Sequence, residues 1–259
     1  MTQVVEYKAC DGIAYITLNR PNNMNSLNLD LGNQLSAALT KCFDPAIRVV
    51  VITGEGKAFC AGGDLGYMQS APTFSQALDE LTIGLNRAVT DIRLLPKPVI
   101  AAVNGVAAGA GMSIALACDL RIASDKAKFK QAYTTSALVP DGGWTLWVPR
   151  ILGLAKATEL LLWDEIIPAD KALEFGLVNK VVAADELQAT VDAEAKRLTG
   201  FPTKAFAEAK ALLNSSMLHG FETQLEQERQ GMIRAGATED VAEGVSAFFA
   251  KRSPNFVGR

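Results

Sequence analysis

The sequence predicts an α/β fold with covering helices, followed by a helical C-terminal region. Three observations carry that prediction. Strand-like and helix-like stretches alternate along the first part of the chain. Two of the strand-like runs, the continuous β-branched RVVVIT at 48–53 and the apolar VIAAV at 99–103, bear the mark of strands buried on both faces. Beyond about residue 200 only helical periodicity remains. With 259 residues, 49% hydrophobic and 20% charged, the chain is long enough to bury a full core, and its proportions exclude disorder, collagen and coiled coil.

In order along the chain, Val4, Glu6 and Lys8 alternate with their neighbours, as do Ile13, Tyr15 and Thr17, around Asp11-Gly12; this is a hairpin with a tight turn. Leu31, Leu35 and Leu39 share one helical face over 28–39. The strand at 48–53 runs into the Gly-rich loop GEGKAFCAGGDL, and a helix over 74–95 ends at Pro96-Lys97-Pro98. The strand at 99–103 then enters a glycine turn at 105–111 and a helix at 111–118. A third strand is expected at 119–123 and a fourth around 128–131. From about Trp144 the chain reads as largely helical, with helices at 146–152, 155–163, 169–175, 185–199, 203–215, 221–235 and 239–251.

Lys and Arg number 25 against 28 Asp and Glu, a net charge of −3. Such a balance gives no electrostatic reason to seek nucleic acid or an anionic membrane. The uncharged stretch from 98 to 118 is long enough to cross a bilayer, but Asn104, Gly105, Gly109 and Gly111 in its interior read as a turn between two buried elements. The four cysteines (Cys10, Cys42, Cys60, Cys118) form no CxxC pair and are expected to be reduced thiols of a cytoplasmic protein. The single histidine, His219, is expected near a helix end with Gly220 as its stop. Any Ser-His-Asp or Cys-His mechanism would have to run through it, and no metal site is expected.

The glycine loops do not bind nucleotides by any standard spacing. Gly56-Lys57 is followed by Ala58 where a P-loop needs Ser or Thr, and Ile114 holds the place of the third glycine of a dinucleotide fingerprint. A second account pairs the two loops. Each follows a buried strand and opens onto a helix, where backbone N–H groups have no internal partner. Two such groups converging make an oxyanion hole. Tight strand–helix packing explains the glycines equally well on spacing alone.

The strings LNRPNNMNSLN, GKAFCAGGDL, PKPVIAAVNGVAAGAGMSIALACDLRIAS and EGVSAFFAKRSPNF resemble the enoyl-CoA hydratase/isomerase, or crotonase, superfamily. The resemblance runs from about Val4 to Val257, in order and nearly without gaps. It implies a crotonase-type ββα spiral over residues 1–200 and a helical trimerisation region over 201–259, in a homotrimer or hexamer. It places oxyanion-hole N–H donors at Gly63 and Ala110, with substrate-binding positions at Ala61, Gly62, Asp64, Leu65 and Gly109. The hole would hold the enolate of an acyl-CoA thioester. Coenzyme A would arrive as part of the substrate, with no separate cofactor.

The departures from the family pattern are equally informative. Hydratases carry two glutamates where this chain has Ser113 and Tyr133, which puts two-glutamate hydration in doubt. Asp141, in LVPDGG, stands where family isomerases of the dienoyl-CoA and epoxyphenylacetyl-CoA types carry an aspartate, and the latter resemble this chain most. From the residues alone, Asp141 has two readings: a proton shuttle with a pKa raised by its apolar neighbours, or the N-cap of the following helix.

Asp64 also reads as a helix cap. Trp144 and Trp147 read as core or as pocket wall, the latter suiting an aryl acyl group. Cys60 and Cys118 read as core fillers. Lys57, Lys97, Lys251 and Arg252 are candidates for the CoA phosphates or plain solvated charges. The expectation is an acyl-CoA isomerase with Asp141 as its single base. Its rivals are a hydratase with a non-standard acid/base pair, a dehalogenase or hydrolase of the same fold, and a non-catalytic CoA-binding protein.

Overall fold

The computed structural model describes residues 2–259. The chain opens with β1 (Val5–Cys10) and β2 (Ile13–Leu18), joined at Asp11-Gly12, both with positive φ, so that Cys10 pairs directly with Ile13. Helix α1 (Leu29–Lys41) starts where Asn28 Oδ1 accepts the Leu31 N–H at 3.0 Å, a cap worth about 1 kcal/mol. Its stripe of Leu31, Leu35 and Leu39 is completely buried, as the spacing predicts. Then come β3 (Val49–Gly54), β4 (Ala58–Cys60), α2 (Leu65–Ser70), α3 (Phe74–Leu94), β5 (Val99–Val103), β6 (Val106–Ala108), α4 (Ala110–Ala117), β7 (Leu120–Ser124) and β8 (Lys128–Lys130). The remainder comprises α5 (Trp144–Leu152), α6 (Leu154–Trp163), β9 (Ile167–Pro168), α7 (Ala169–Glu174), β10 (Lys180–Val182), α8 (Leu187–Thr199), α9 (Thr203–Ser215), α10 (Phe221–Gly236) and α11 (Glu239–Phe249).

These strands form two sheets, one in the order β1-β2-β3-β5-β7-β10 and a smaller one in the order β4-β6-β8-β9. The two unbroken apolar strands are buried on both faces for a visible reason. Val50, Ile52, Val99, Ala101 and Val103 enter the main core, which also takes in α1, part of α3, α4 and the second sheet. Their alternates Val49, Val51, Ile100 and Ala102 pack against Leu187, Val191, Ala195 and Leu198 of α8. A period of two feeding two cores leaves Thr53, near the end of β3, as the one polar side chain on these strands, and its hydroxyl donates to Ala102 O at 2.9 Å.

Several details go beyond the sequence expectation or differ from it. Each glycine loop contains a short strand, β4 and β6, because the segments are just long enough to pair in parallel with each other. The expected strand near 128–131 is β8, which pairs with β6 in the second sheet. The region after Trp144 is largely helical as expected, with two short strands that the sequence did not show: β9 pairs with β8, and β10 extends the main sheet beside β7. These strands are two and three residues long, too short for a periodicity to register. Finally, Gly220 does not stop a helix. It is the extended N-cap residue of α10, and exposed His219 lies in the turn before it.

The C-terminal helices are tied to the body by polar contacts more than by apolar ones. The buried ammonium of Lys210 on α9 donates to Ile92 O at 2.9 Å, Lys97 O at 3.2 Å and Asp119 Oδ2 at 2.8 Å. Asp240 at the start of α11 accepts the N–H groups of Val257 and Gly258, folding the tail back onto the helix. Among the described residues no helix is long and apolar enough to cross a membrane.

Candidate active site

Three adjacent parallel strands, β4, β6 and β8, deliver the candidate site at their C-terminal ends, the end of a parallel sheet where ligands characteristically bind. β4 leads into Ala61-Gly62-Gly63, β6 into Gly109-Ala110, and β8 into Ala132-Tyr133. Two glycines allow the first two loops to meet. Gly62 has φ +107°, and a Cβ there would lie 3.1 Å from Ala108 O. At Gly111 a Cβ would come within 2.0 Å of Cys60 O, so only a hydrogen lets α4 rest on β4. Both loops then open on one cavity of about 350 Å³, lined by Ala61, Gly62, Gly63, Gly109, Ala110, Tyr133 and Asp141 and walled by apolar residues such as Leu27, Met68 and Leu138. The N–H groups of Gly63 and Ala110 have no hydrogen-bond acceptor among the described residues. Ala110 is the first residue of α4, so the helix dipole adds positive potential at that end of the cavity.

Opposite the glycines stands Asp141, the only carboxylate lining the cavity among the described residues. Its Oδ1 accepts a 2.6 Å hydrogen bond from the Tyr133 hydroxyl. Ser113, on α4, donates to the backbone carbonyl of Asp141 at 2.9 Å, and its Oγ lies 3.3 Å from the Tyr133 hydroxyl. The positions Ser113, Tyr133 and Asp141, 28 residues apart from first to last, are thus one contact cluster. Burial pushes the Asp141 carboxyl above the usual carboxylate range, and the Tyr133 hydrogen bond offsets part of that rise. Burial and the nearby Asp141 charge raise the Tyr133 phenol, which keeps its proton and donates.

The helix-cap reading of Asp141 is not what the structure contains. Gly143, with φ +85°, is the N-cap of α5, with no side-chain cap. Trp144 N–H binds the backbone carbonyl of Asp141 at 3.1 Å. The carboxylate is left to face Tyr133 and the cavity. Asp64, by contrast, does cap: it accepts Tyr67 N–H at 3.1 Å and pairs with Arg20 at 2.8 Å. Partial burial raises its pKa, but the Arg20 and Tyr67 bonds outweigh that and hold it below the usual range. Engaged in this way, Asp64 does not line the cavity, while its neighbour Leu65 does.

Several expected site residues lie elsewhere. Trp144 is buried in the main core and Trp147 is stacked under Arg93, 5.0 Å from ring centroid to guanidinium carbon, so neither forms an aromatic wall beside Asp141. The helical period of α5 turns Trp144 inward as soon as Gly143 has capped the helix. Lys57 and Lys251 are exposed and do not line the cavity. Lys97 is buried, its ammonium donating to the carbonyls of Cys42 and Asp44, and Arg252 pairs with Glu243. Cys60 and Cys118 are core residues, and burial pushes the Cys60 thiol up to about 11. Sequence reasoning missed Met68, Leu78 and Thr82, which form a wall of the cavity from α2 and α3. Leu78 and Thr82 are spaced four apart on one face of α3, the signal that was there to read.

The chain matches the enoyl-CoA hydratase/isomerase family over residues 8–259. It is 40% identical over 253 residues to the 1,2-epoxyphenylacetyl-CoA isomerase of Escherichia coli strain K12, covering 96% of both chains. It is 37% identical over 249 residues to the crotonyl-CoA hydratase of Syntrophomonas wolfei, covering 95% of both. The crystal structure of enoyl-CoA hydratase from Bacillus anthracis superposes with a TM-score of 0.94 at 33% identity, covering 99% of this chain and 100% of that one. The paired glycine loops, their two free N–H groups and these likenesses agree: the chain has the crotonase fold and belongs to the enoyl-CoA hydratase/isomerase family.

Proposed function

We propose that this enzyme is an acyl-CoA isomerase in which Asp141 is the single proton carrier. The thioester oxygen sits between the N–H groups of Gly63 and Ala110. Asp141 removes a proton from an acyl carbon, and the electron pair of that C–H bond passes to the carbonyl to give the enolate. As charge builds on oxygen the two N–H bonds strengthen, each donor lowering the barrier by about 3–4 kcal/mol. Asp141 then returns the proton to a second acyl carbon, and the double bond has moved. The same enolate chemistry would assist rearrangement of an epoxide-bearing ring. Coenzyme A is the substrate's own carrier, and the steps call on no other group. Exposed Lys57 and Lys251 are assigned to the CoA phosphates, and the exposed Phe248 and Phe249 of α11 to contact with further copies of the chain, as a homotrimer or hexamer.

The observation that supports this reading best is that Asp141 is the cavity's only carboxylate among the described residues. One base can take a proton and give it back, whereas two-glutamate hydration has no second carboxylate. A second reading has one specific observation in its favour. The Tyr133 hydroxyl, 2.6 Å from Asp141, is a group that could join it in adding water, and several relatives bear hydratase names.

NMR in D₂O separates the two readings. With 3-enoyl-CoA and aryl-acetyl-CoA substrates, deuterium exchange or double-bond migration that is lost in Asp141→Asn is the expected result. Equal exchange in both proteins would remove Asp141 from the mechanism. Hydration of crotonyl-CoA without exchange would establish the hydratase.

A further inference from the structure

Tyr133 is held in place by a group far from it in sequence. β8 and β9 pair antiparallel, Lys128 with Pro168 and Phe129 with Ile167. Carried past the last paired residues, the same register sets Ala132 opposite Asp164, in the turn between α6 and β9. There the Asp164 side chain is buried. Its Oδ1 accepts the Ala132 N–H at 2.8 Å, and its Oδ2 accepts the Thr135 hydroxyl at 2.5 Å and lies 3.3 Å from Lys130 Nζ. One carboxylate therefore binds residues before, beside and after Tyr133. Buried Gln131 adds to this, its Oε1 accepting the Tyr133 N–H at 3.0 Å.

The segment needs such a clamp. Ala132 and Ala137, on either side of Tyr133, have φ of +56° and +55°, a region that residues with a Cβ rarely adopt. Such conformations persist only where the surroundings over-determine them. Asp164 itself has φ +49°. Asp is among the few residues with a side chain that accept this left-handed conformation, and here it ends α6 with its carboxylate engaged on the Tyr133 segment.

We propose that Asp164 is a positioning residue of the active site, which sets the Tyr133 hydroxyl on Asp141 by holding the backbone from Ala132 to Thr135. The inference rests on the isomerase reading only for what the positioning serves. The contacts themselves are independent of it.

The test uses Asp164→Gly, Asp164→Asn and Tyr133→Phe in the full-length protein. Glycine accepts the αL backbone without strain and removes the carboxylate with its short stem. Asparagine tolerates αL and keeps an acceptor for the Ala132 N–H. Tyr133 is the only titratable side chain bonded to Asp141 among the described residues, so losing its bond raises the Asp141 pKa further. Asp141 is followed in the free protein by its carboxyl carbon resonance against pH, a readout that requires no turnover.

Asp164→Gly is expected to raise the Asp141 pKa in the same direction as Tyr133→Phe. It should add nothing further in the Tyr133→Phe background, and Asp164→Asn should restore most of the wild-type value. On isomerisation, Asp164→Gly should lower kcat roughly tenfold with KM little changed, the loss expected for one hydrogen bond to a charged group. A folded Asp164→Gly protein with the wild-type Asp141 titration would overturn the proposal, as would additivity with Tyr133→Phe. If the isomerase reading fails but the titration moves as stated, the positioning stands and only its purpose changes.

Discussion

The Tyr133 hydroxyl and the Asp141 carboxylate, eight residues apart on the chain, meet at 2.6 Å beside two unpartnered backbone N–H groups. Tyr133 leaves the end of a parallel strand and Asp141 lies in the loop before α5, so the contact depends on the fold bringing strand end and loop together. Tyr133→Phe isolates that bond. Without it the Asp141 carboxyl, already lifted by burial, rises further. The acidic limb of the exchange rate against pH should move to higher pH, with activity at neutral pH down about tenfold. Rate–pH profiles of the two proteins check this, and a limb that stays put would separate Tyr133 from the base.

A raised carboxyl pKa also bears on stability. Asp141 binds its proton more tightly in the folded protein than in the unfolded chain. Its contribution is therefore most favourable below the unfolded pKa, near 4, and is lost as pH rises through the folded one. At pH 7 the buried charge is a burden on the fold, so Asp141→Asn should melt at a higher temperature than the wild type. The advantage should shrink toward zero as pH drops below about 4. Thermal melts across that range measure it. A variant less stable at pH 7 would mean that the Tyr133 and Ser113 contacts outweigh desolvation.

Gly62→Ala tests the oxyanion hole without touching a side chain. A Cβ at φ +107°, 3.1 Å from Ala108 O, forces the loop to shift and turns the Gly63 N–H away from Ala110. Loss of one well-aimed donor costs about 100-fold or more in kcat. KM for the thioester should change much less, because the hole binds the enolate more tightly than the ground-state carbonyl. Steady-state kinetics of the folded variant would show the split.

Lys210 tests the attachment of the C-terminal helices. Its buried ammonium satisfies two backbone carbonyls and Asp119, so Lys210→Met takes the donor from the Ile92 and Lys97 carbonyls and leaves Asp119 with Arg93 and the Val99 N–H alone. Removing one partner of a buried pair costs about 3–5 kcal/mol. Chemical denaturation should register that loss, while the Asp141 titration stays where it was.

Most of this architecture was legible in the residues. The paired apolar strands at 49–54 and 99–103, the Asp11-Gly12 turn and the helices from α8 to α11 all followed from periods of two and 3.6 and from turn chemistry. Those signals are local and need no knowledge of what the segment packs against. The family was legible too, through motif strings kept in order along the chain. The N–H donors at Gly63 and Ala110 came only with that resemblance, since on spacing alone the glycines read equally well as packing and Asp141 equally well as a helix cap. What tertiary structure alone decided was contact. β4, β6 and β9 exist because they have neighbours to pair with, not because their two or three residues favour strands. Trp144 went to the core and Lys97 to two carbonyls, choices that depend on which face of an element meets the body. Tyr133 became the partner of Asp141 where a strand end meets a loop, and Asp164 the clamp of the Tyr133 segment through a strand register that pairs residues 32 positions apart. No local pattern reports on a hydrogen bond across that separation, since it forms only after the sheet has closed.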